Sequence, residues 1–331
     1  MRKINLALIG ATGMVGRTAL KVLEERSVQV NNFYAFGSKR SAGEIVTLHG
    51  KEYMSEELTE GSFERDIDIA MFCADGEVSA KFAPIAVRSG CMVVDNSSHF
   101  RMDADVPLVV PEVNPLAIKA HNGIIANPNC STIQAVVALK PLQDKYGLRR
   151  VIYSTYQSVS GAGLSGISAL KDGIPDVFAR PIAYNLIPQI DSFLDNGYTK
   201  EEMKMIDETK KILEQSDLKV TATTVRVPVF YGHSESINIE LASPFELSDV
   251  RELLRNAPGI VLMDDIENNI FPTPLDAVGK NEVFIGRVRR DESVENGLSI
   301  FCVADNIRKG AATNAVQIVE LLIGGILDEY I

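Results

Sequence analysis

Ile4-Asn5-Leu6-Ala7-Leu8-Ile9-Gly10-Ala11-Thr12-Gly13-Met14-Val15-Gly16 passes from an apolar run into three evenly spaced glycines. Ile4 to Ile9 is a β-rich apolar run, glycines at 10, 13 and 16 punctuate it, and Arg17 to Arg26 carries apolar residues at helical spacing. The order is strand, glycine turn, helix. Such a turn presents backbone N–H groups and the positive end of a helix dipole to a pyrophosphate. Its spacing, G-x-x-G-x-x-G, departs from the usual G-x-G-x-x-G, so glycines needed only for close strand–helix packing are the competing explanation. Placement directly after the first strand favours a bound dinucleotide.

Further apolar runs follow at Asn32 to Phe36, Ile67 to Cys73 and Cys91 to Val94, each ending in a polar turn and separated from the next by helical pattern. Strands alternating with helices predict βαβ units, a parallel sheet, and loops gathered at the carboxyl ends of the strands. The first part is therefore expected to be an α/β, Rossmann-like doubly wound domain. From about Val151 the texture changes to alternating runs (VIYSTYQSVSGAG, TATTVRVPVF, SINIELAS) around a helical pattern at residues 200–214, which predicts an α+β domain. Ala311 to Leu327 is apolar at helical spacing and is expected to close the chain against the first domain. The expected division is residues 1–127 with 307–331 packing back onto them, and residues 128–306 as the second domain.

A chain of 331 residues with 46% hydrophobic content suits two globular domains. Its 33 basic and 44 acidic residues leave a net charge of −11, which argues against a general nucleic-acid or anionic-membrane partner. An anionic substrate must then meet a local basic cluster. Four cysteines, at 73, 91, 130 and 302, show no C-x-x-C spacing and too low a density for a disulfide scaffold, which suggests a reducing cytoplasm and no metal site. Glycines interrupt the apolar run after Met1-Arg2-Lys3 before it reaches the length of a signal peptide or membrane span.

NAD-specific sites place an acidic residue near the end of the second strand, where it bonds the ribose hydroxyl and repels a 2′-phosphate. Here that strand runs into Gly37-Ser38-Lys39-Arg40-Ser41, offering two cations and two hydroxyls. NADP is the expected cofactor, with a merely solvated basic loop as the alternative, for Lys39 in particular.

Cys73, Cys91 and Cys302 sit inside apolar runs and read as small core hydrophobes. Cys130 stands apart. GIIANPNCSTIQAVVAL reads as strand, turn and then a helix beginning near Ser131, so the thiol sits at a helix start, where the dipole favours thiolate. A nucleophile and a buried cap-region cysteine both fit this placement.

ANPNCST resembles the nucleophile motif of the aspartate-β-semialdehyde dehydrogenase family, and GATGMVG resembles that family's cofactor turn. Further matches follow in order along the whole chain: SKRSAG, DNSSHFRM, QSVSGAG, EEMKMIDETKKIL, VRVPVFYGHSES and ADNIRKGAATNAV. N-acetylglutamyl-phosphate reductase, the nearest relative in chemistry, is expected to carry glycine before its cysteine, and Asn129 here favours the aspartate branch. Other acyl-phosphate or acyl-CoA reductases and a non-catalytic dinucleotide sensor are the alternatives.

The resemblance implies NADPH-dependent reductive dephosphorylation of β-aspartyl phosphate to aspartate β-semialdehyde, in lysine, threonine and methionine biosynthesis, by a homodimer or dimer-based tetramer. It implies Cys130 as the acyl-carrying nucleophile, His233 as acid–base and Gln157 beside the reacting carbon. Arg226 would grip the α-carboxylate, Arg101 and Lys204 the phosphate, and Glu201 the ammonium, with Asn129 also at the substrate. Gly10, Thr12, Gly13, Met14, Val15, Ser38, Arg40, Ser41, Ser160, Gly161 and Asn306 would meet the cofactor. From the residues alone, Arg226 also fits an exposed strand arginine, and Glu201, Lys204, Glu208 and Lys211 fit the ladder of a surface helix. Thr199-x-x-Glu202 reads as a capping box that gives Glu202 a structural role and leaves Glu201 available.

Overall fold

A computed structural model describes residues 3–326. The chain forms two compact units, Met1–Pro128 with Ala311–Ile331, and Asn129–Gly310.

In the first unit, β1 (Ile4–Ile9) is entirely buried and leads through the glycine turn into α1 (Met14–Glu25). Then come β2 (Val30–Gly37), the hairpin β3 (Ile45–Leu48) and β4 (Lys51–Met54), the short β5 (Glu56–Glu57), β6 (Ile69–Phe72), α2 (Gly76–Arg88), β7 (Met92–Asp95) and β8 (Ile124–Ala126). The sheet order is β5-β2-β1-β6-β7-β8, with every pairing parallel. Reversal of strand order on either side of β1 creates the crevice in which open α/β sheets take ligands. The fold class read from the sequence is the one observed.

The helix Thr313–Leu321 belongs to this unit and packs against α1. Its Ala315, Val316, Ile318 and Val319 are buried in one core with Leu6 and Leu8 of β1 and Leu20 and Leu23 of α1. Asn314, 0% exposed, donates to the Val109 carbonyl at 2.9 Å and to Asn127 Oδ1 at 2.7 Å, so this apolar helix is also fixed in register by buried polar bonds. Leu327, the expected end of the closing helix, and residues 328–331 lie outside the described residues.

The second unit begins at Asn129 and ends at Gly310, four residues beyond the expected boundary at 306. Asp305 explains the shift: its carboxylate accepts the Ile307 and Arg308 amides at 2.9 and 3.0 Å, and its carbonyl accepts the Gly310 amide at 3.0 Å. Residues 307–310 thus remain with the strand that precedes them.

Its elements are α3 (Cys130–Tyr146), β9 (Leu148–Gln157), α4 (Gly163–Asp172), α5 (Lys200–Ile212), β10 (Lys219–Arg226), β11 (His233–Leu241), α6 (Leu247–Asn256), β12 (Ile260–Leu262), α7 (Pro274–Ala277), β13 (Val283–Asp291) and β14 (Gly297–Ala304). The sheet order β10-β9-β11-β14-β13-β12 mixes parallel outer pairs with antiparallel inner ones. α3 crosses β9, β11, β13 and β14 and is buried without interruption from Ser131 to Leu139, so it reads as hydrophobic all round. β9 alternates cleanly, with Val151, Tyr153, Thr155 and Gln157 buried and Ile152, Ser154 and Tyr156 facing outward.

Candidate active site

The first unit carries the candidate cofactor residues of the glycine turn and of the loop after β2, while Ser160, Gly161 and Asn306 lie in the second. Gly10 has φ +77°, and a Cβ there would sit 2.4 Å from the Cys73 carbonyl oxygen, so only glycine fits this turn. α1 starts at Met14 with Gly13 as its N-cap; no side chain caps it and no acidic residue occupies its first turn, leaving its dipole end open to an anion. The loop after β2 exposes Ser38, Lys39 and Arg40, and Ser41 folds back to donate to the Ser38 carbonyl at 3.1 Å. A Cβ on Gly37 would meet Ser41 Oγ at 2.4 Å. These features fit a dinucleotide. Arg17, which the sequence did not single out, ties the two segments together by donating to the Thr12 carbonyl at 2.9 Å and to Glu44 at 3.0 Å.

Arg101 is also in this unit and is 7% exposed. Its Nε donates to the Asn127 carbonyl at 3.0 Å and its Nη2 to the Asn96 carbonyl at 2.9 Å, which aims the guanidinium from the DNSSHFRM loop.

In the second unit the sheet topology gathers side chains far apart in sequence. β9 and β10 run parallel and end together, with Gln157 opposite Arg226; β11 runs against them and starts beside them at His233; β14 ends at Ala304 opposite His233. Four adjacent strand ends therefore deliver Arg226, Gln157, His233 and the Asp305-Asn306 turn to one edge. A Cβ on Gly161 would lie 2.7 Å from Arg226 Nη1 and 3.4 Å from His233 Nε2, so the loop after β9 passes against both.

Cys130 is the first residue of α3, one position earlier than the expected start. The cap is Asn129, whose Oδ1 accepts the Ser131 and Thr132 amides at 3.0 and 3.3 Å, as caps do. Gly310 presses on the cysteine: a Cβ there would be 2.9 Å from Cys130 Cβ. Burial pulls the Arg226 pKa below the usual range, opposed by Glu201 and then by Cys130. Arg226 is 5% exposed, which overturns the reading of an exposed strand arginine. Nη1 donates to the Ser158 carbonyl at 2.7 Å, and Nε has no partner among the described residues.

Glu201, 5% exposed, links the elements. Its Oε1 accepts from Asn129 at 3.0 Å and from Gln157 at 3.3 Å, and its Oε2 accepts from Lys204 at 3.2 Å. Lys204 also bonds Asp191 at 3.0 Å; burial opposes its charge, but the two carboxylates hold its pKa above the ordinary value. The Thr199–Glu202 capping box forms as expected. Glu208 does not belong to a surface ladder: it is 1% exposed and accepts the Asn129 amide at 2.7 Å. Seven residues separate it from Glu201, two helical turns, so one face of α5 supports the N-terminus of α3.

The other cysteines separate by environment. Burial, then Asp95, pushes the Cys73 thiol up to about 12; burial, then Asp68, pushes Cys91 up to about 11; burial, then Glu235, raises Cys302 well above its ordinary value. Cys73 is only partly buried, short of the full burial its apolar run suggests. None of the four cysteines forms a disulfide. Among the described residues no His, Cys, Asp and Glu cluster could hold a metal, and no helix is long and apolar enough to cross a membrane.

Glu235 is the buried acid that the sequence did not flag. It is 0% exposed, pairs with Thr155 on β9 and Cys302 on β14, and has Gln134 of α3 beside it, whose Nε2 donates to the His233 carbonyl at 3.3 Å. Burial raises its pKa well above the ordinary 4.5, against the pull of the neighbouring Gln134 amide and with Glu201 adding repulsion. The folded chain then holds this proton longer than the unfolded one, so stability falls as pH rises from about 4.5 toward the folded pKa. Glu235→Gln is expected to be the more stable protein at pH 8, with the difference vanishing toward pH 4. Denaturant unfolding across that range checks it, and an equal difference at every pH contradicts it.

Comparison with known proteins identifies the family. Residues 5–121 match the semialdehyde dehydrogenase NAD binding domain, and residues 139–309 match the semialdehyde dehydrogenase dimerisation domain. Aspartate-semialdehyde dehydrogenase of Aquifex aeolicus is 53% identical over 96% of this chain and 97% of its own; that of Bacillus subtilis is 50% identical over 97% and 98%. The crystal structure of aspartate semialdehyde dehydrogenase II from Vibrio cholerae, complexed with ASA, superposes with a TM-score of 0.94 at 49% identity, covering 98% of this chain and 99% of that one. The Candida albicans enzyme, solved with NADP, gives a TM-score of 0.78 at 27% identity over 97% of this chain and 99% of its own. With both domains matched and half the residues identical over nearly full length, the chain belongs to the aspartate-semialdehyde dehydrogenase family.

Proposed function

We propose that the protein reduces β-aspartyl phosphate to aspartate β-semialdehyde, with release of phosphate and with NADPH as the reductant, through an acyl group carried on Cys130. The observation that supports the reading is a connected cluster within one unit: Glu201 accepts from Gln157 and from Asn129, the residue before Cys130, and Gly161 lies against both Arg226 and His233. A thiol at a helix N-terminus can attack the acyl phosphate, expelling phosphate and leaving a thioester. NADPH, when bound, supplies the hydride that converts this thioester to the aldehyde level. Arg226 pairs with the α-carboxylate through its unpartnered Nε edge, and the buried Glu201 carboxylate, held by Asn129, Gln157 and Lys204, is assigned to the ammonium. Lys204 and Arg101 are assigned to the phosphate. Gly161 has no Cβ and leaves the reacting carbon accessible between Arg226 and His233.

The test is an assay with aspartate semialdehyde, NADP+ and inorganic phosphate. Phosphate-dependent NADPH formation is expected; no turnover with this aldehyde, alongside turnover of another acyl-phosphate substrate, would reassign the chain within the family. For the cofactor, Arg40→Ala with Ser41→Ala is expected to raise the Kd of NADPH about 10- to 100-fold, the worth of one or two charge-assisted hydrogen bonds, and to leave NADH nearly unchanged. Equal losses for both cofactors would remove Arg40 and Ser41 from phosphate recognition.

The working assembly is a homodimer or dimer-based tetramer in a reducing cytoplasm. Supporting the dimer, the sheet face away from α3 is half-open: Tyr156 is 40% exposed, and Phe230, Tyr231, Ile270 and Phe271 are exposed apolar residues of the same unit. Its place in metabolism is the synthesis of lysine, threonine and methionine.

A further inference from the structure

Asparagine amides from three separate segments of the first unit form a line behind Arg101. Asn314, on the helix Thr313–Leu321, donates its Nδ2 to the Val109 carbonyl at 2.9 Å and to Asn127 Oδ1 at 2.7 Å. Asn127 Nδ2 donates to Asn96 Oδ1 at 2.9 Å and, at 3.4 Å, to the Ala311 carbonyl that leads into the same helix. Asn96 Nδ2 in turn donates to the Phe72 carbonyl at 3.0 Å. Asn314 is 0% and Asn127 1% exposed, and Asn96 is partly buried.

The line has one possible direction. A backbone carbonyl only accepts, so Val109 and Phe72 fix which atom of Asn314 and of Asn96 is the nitrogen. Asn127 is then fixed from both sides, its oxygen against the Asn314 nitrogen and its nitrogen against the Asn96 oxygen. Turning over any one amide would set oxygen against oxygen or nitrogen against nitrogen.

The residues so fixed are the ones that hold the arginine. Asn96 and Asn127 follow Asp95 and Ala126, the last paired positions of β7 and β8. Arg101 Nε donates to the Asn127 carbonyl at 3.0 Å and Nη2 to the Asn96 carbonyl at 2.9 Å. A guanidinium is planar and its N–H groups leave in fixed directions, so these two bonds set the plane of the whole group. Burying an amide is costly unless its bonds are made, and the apolar neighbours of Asn314 on its helix, Ala315, Val316, Ile318 and Val319, pack without one.

We propose that Asn314 is a positioning residue for phosphate recognition: through Asn127 and Asn96 it sets the two carbonyls that aim Arg101, so the closing helix governs how tightly the phosphate is held. This rests on the assignment of Arg101 to the phosphate. Guanidinium and phosphate meet through paired, directional hydrogen bonds, so a rotated fork loses affinity where a flexible ammonium would adapt. The effect is selective, because the α-carboxylate and ammonium are assigned to Arg226 and Glu201, and the dinucleotide to the glycine turn.

The experiment measures inorganic phosphate on the whole protein in two ways. Its Kd is taken by equilibrium dialysis of labelled phosphate in the presence of NADP+, and its KM from turnover of aspartate semialdehyde with NADP+. Asn314→Ala is expected to raise both about 10- to 100-fold, the scale on which a displacement of about 1 Å costs function, with little change in KM for the aldehyde or NADP+. Val316→Ala, a buried core substitution on the same helix, is expected to lower the unfolding temperature and leave phosphate Kd unmoved. Asn314→Ser has one hydroxyl hydrogen for two acceptors and is expected to fall between parent and alanine, which keeps the test available should the alanine chain not fold. In an Arg101→Ala background, Asn314→Ala is expected to change phosphate Kd by less than about twofold, because both act through one group. Parental phosphate affinity in folded Asn314→Ala or Asn314→Ser, equal losses for all three substrates, or losses that multiply with those of Arg101→Ala overturn the proposal. Loss of phosphate in Arg101→Ala but not in Asn314→Ala overturns the positioning role alone, whereas Arg101→Ala with parental affinity removes the phosphate assignment and the proposal together. Dialysis needs no acyl substrate, so a wrong acyl assignment is told apart from both.

Discussion

Cys130→Ala is expected to lower kcat by about 10⁴-fold or more while leaving the fold and cofactor binding intact. A helix of 17 residues whose cap is Asn129 and whose body is buried from Ser131 to Leu139 does not depend on the thiol at its first position. Alanine keeps the Cβ that Gly310 packs against, so the close approach there survives. Cys130→Ser sharpens the result: a hydroxyl in the same place ionises far less readily than a thiol, so acyl transfer from the phosphate is expected to fail even though size and position are retained. Thermal unfolding and NADPH titration provide the controls, and rapid mixing of the parent with acyl donor should show one phosphate released per site before reduction. An alanine variant with parental kcat would show that no covalent acyl group is formed.

The candidate site was partly legible because its polar residues break local patterns. Cys130 differs from Cys73, Cys91 and Cys302 by standing at a helix start instead of inside an apolar run, and its position in the structure is the cap region of α3. The parallel sheet was legible for the same kind of reason, since buried strands alternating with amphipathic helices leave few other topologies. Glu208 and Glu235 were hidden by sequence logic that is locally sound. On α5, carboxylates and lysines three and four apart look like solvent-facing pairs, and only the packing of α3 on that face buries Glu208. Glu235 lies two residues from His233, on the same buried side of β11; HSESINIEL alternates, but an acid at an inward position carries no signal of its own.

The end of the second compact unit was not legible in the sequence. Residues 307–310 stay with the second unit because Asp305 caps them, a tertiary detail of the turn after β14.

Arg226 should show activity and stability moving in opposite directions. Its guanidinium is buried, its Nε has no partner among the described residues, and its Nη1 bonds only a neutral carbonyl, that of Ser158. Burying a charge without a hydrogen-bonded counter-ion is costly, and an apolar residue of similar volume is often neutral or stabilising. Arg226→Met is therefore expected to unfold at the same temperature as the parent or a higher one. Function should move the other way. Losing one partner of a buried, hydrogen-bonded charge pair costs about 2–5 kcal/mol, or roughly 30- to 4000-fold in kcat/KM, and most of it should appear in KM because the α-carboxylate is held equally before and during the chemistry. Arg226→Lys keeps the charge but not the planar fork, and should recover little. The carboxylate can be read directly: aspartate at millimolar concentration should raise the unfolding temperature of the parent and leave Arg226→Met unmoved. A methionine variant that melts well below the parent would mean that Arg226 is held for the fold, and equal protection of both proteins by aspartate would place the carboxylate elsewhere.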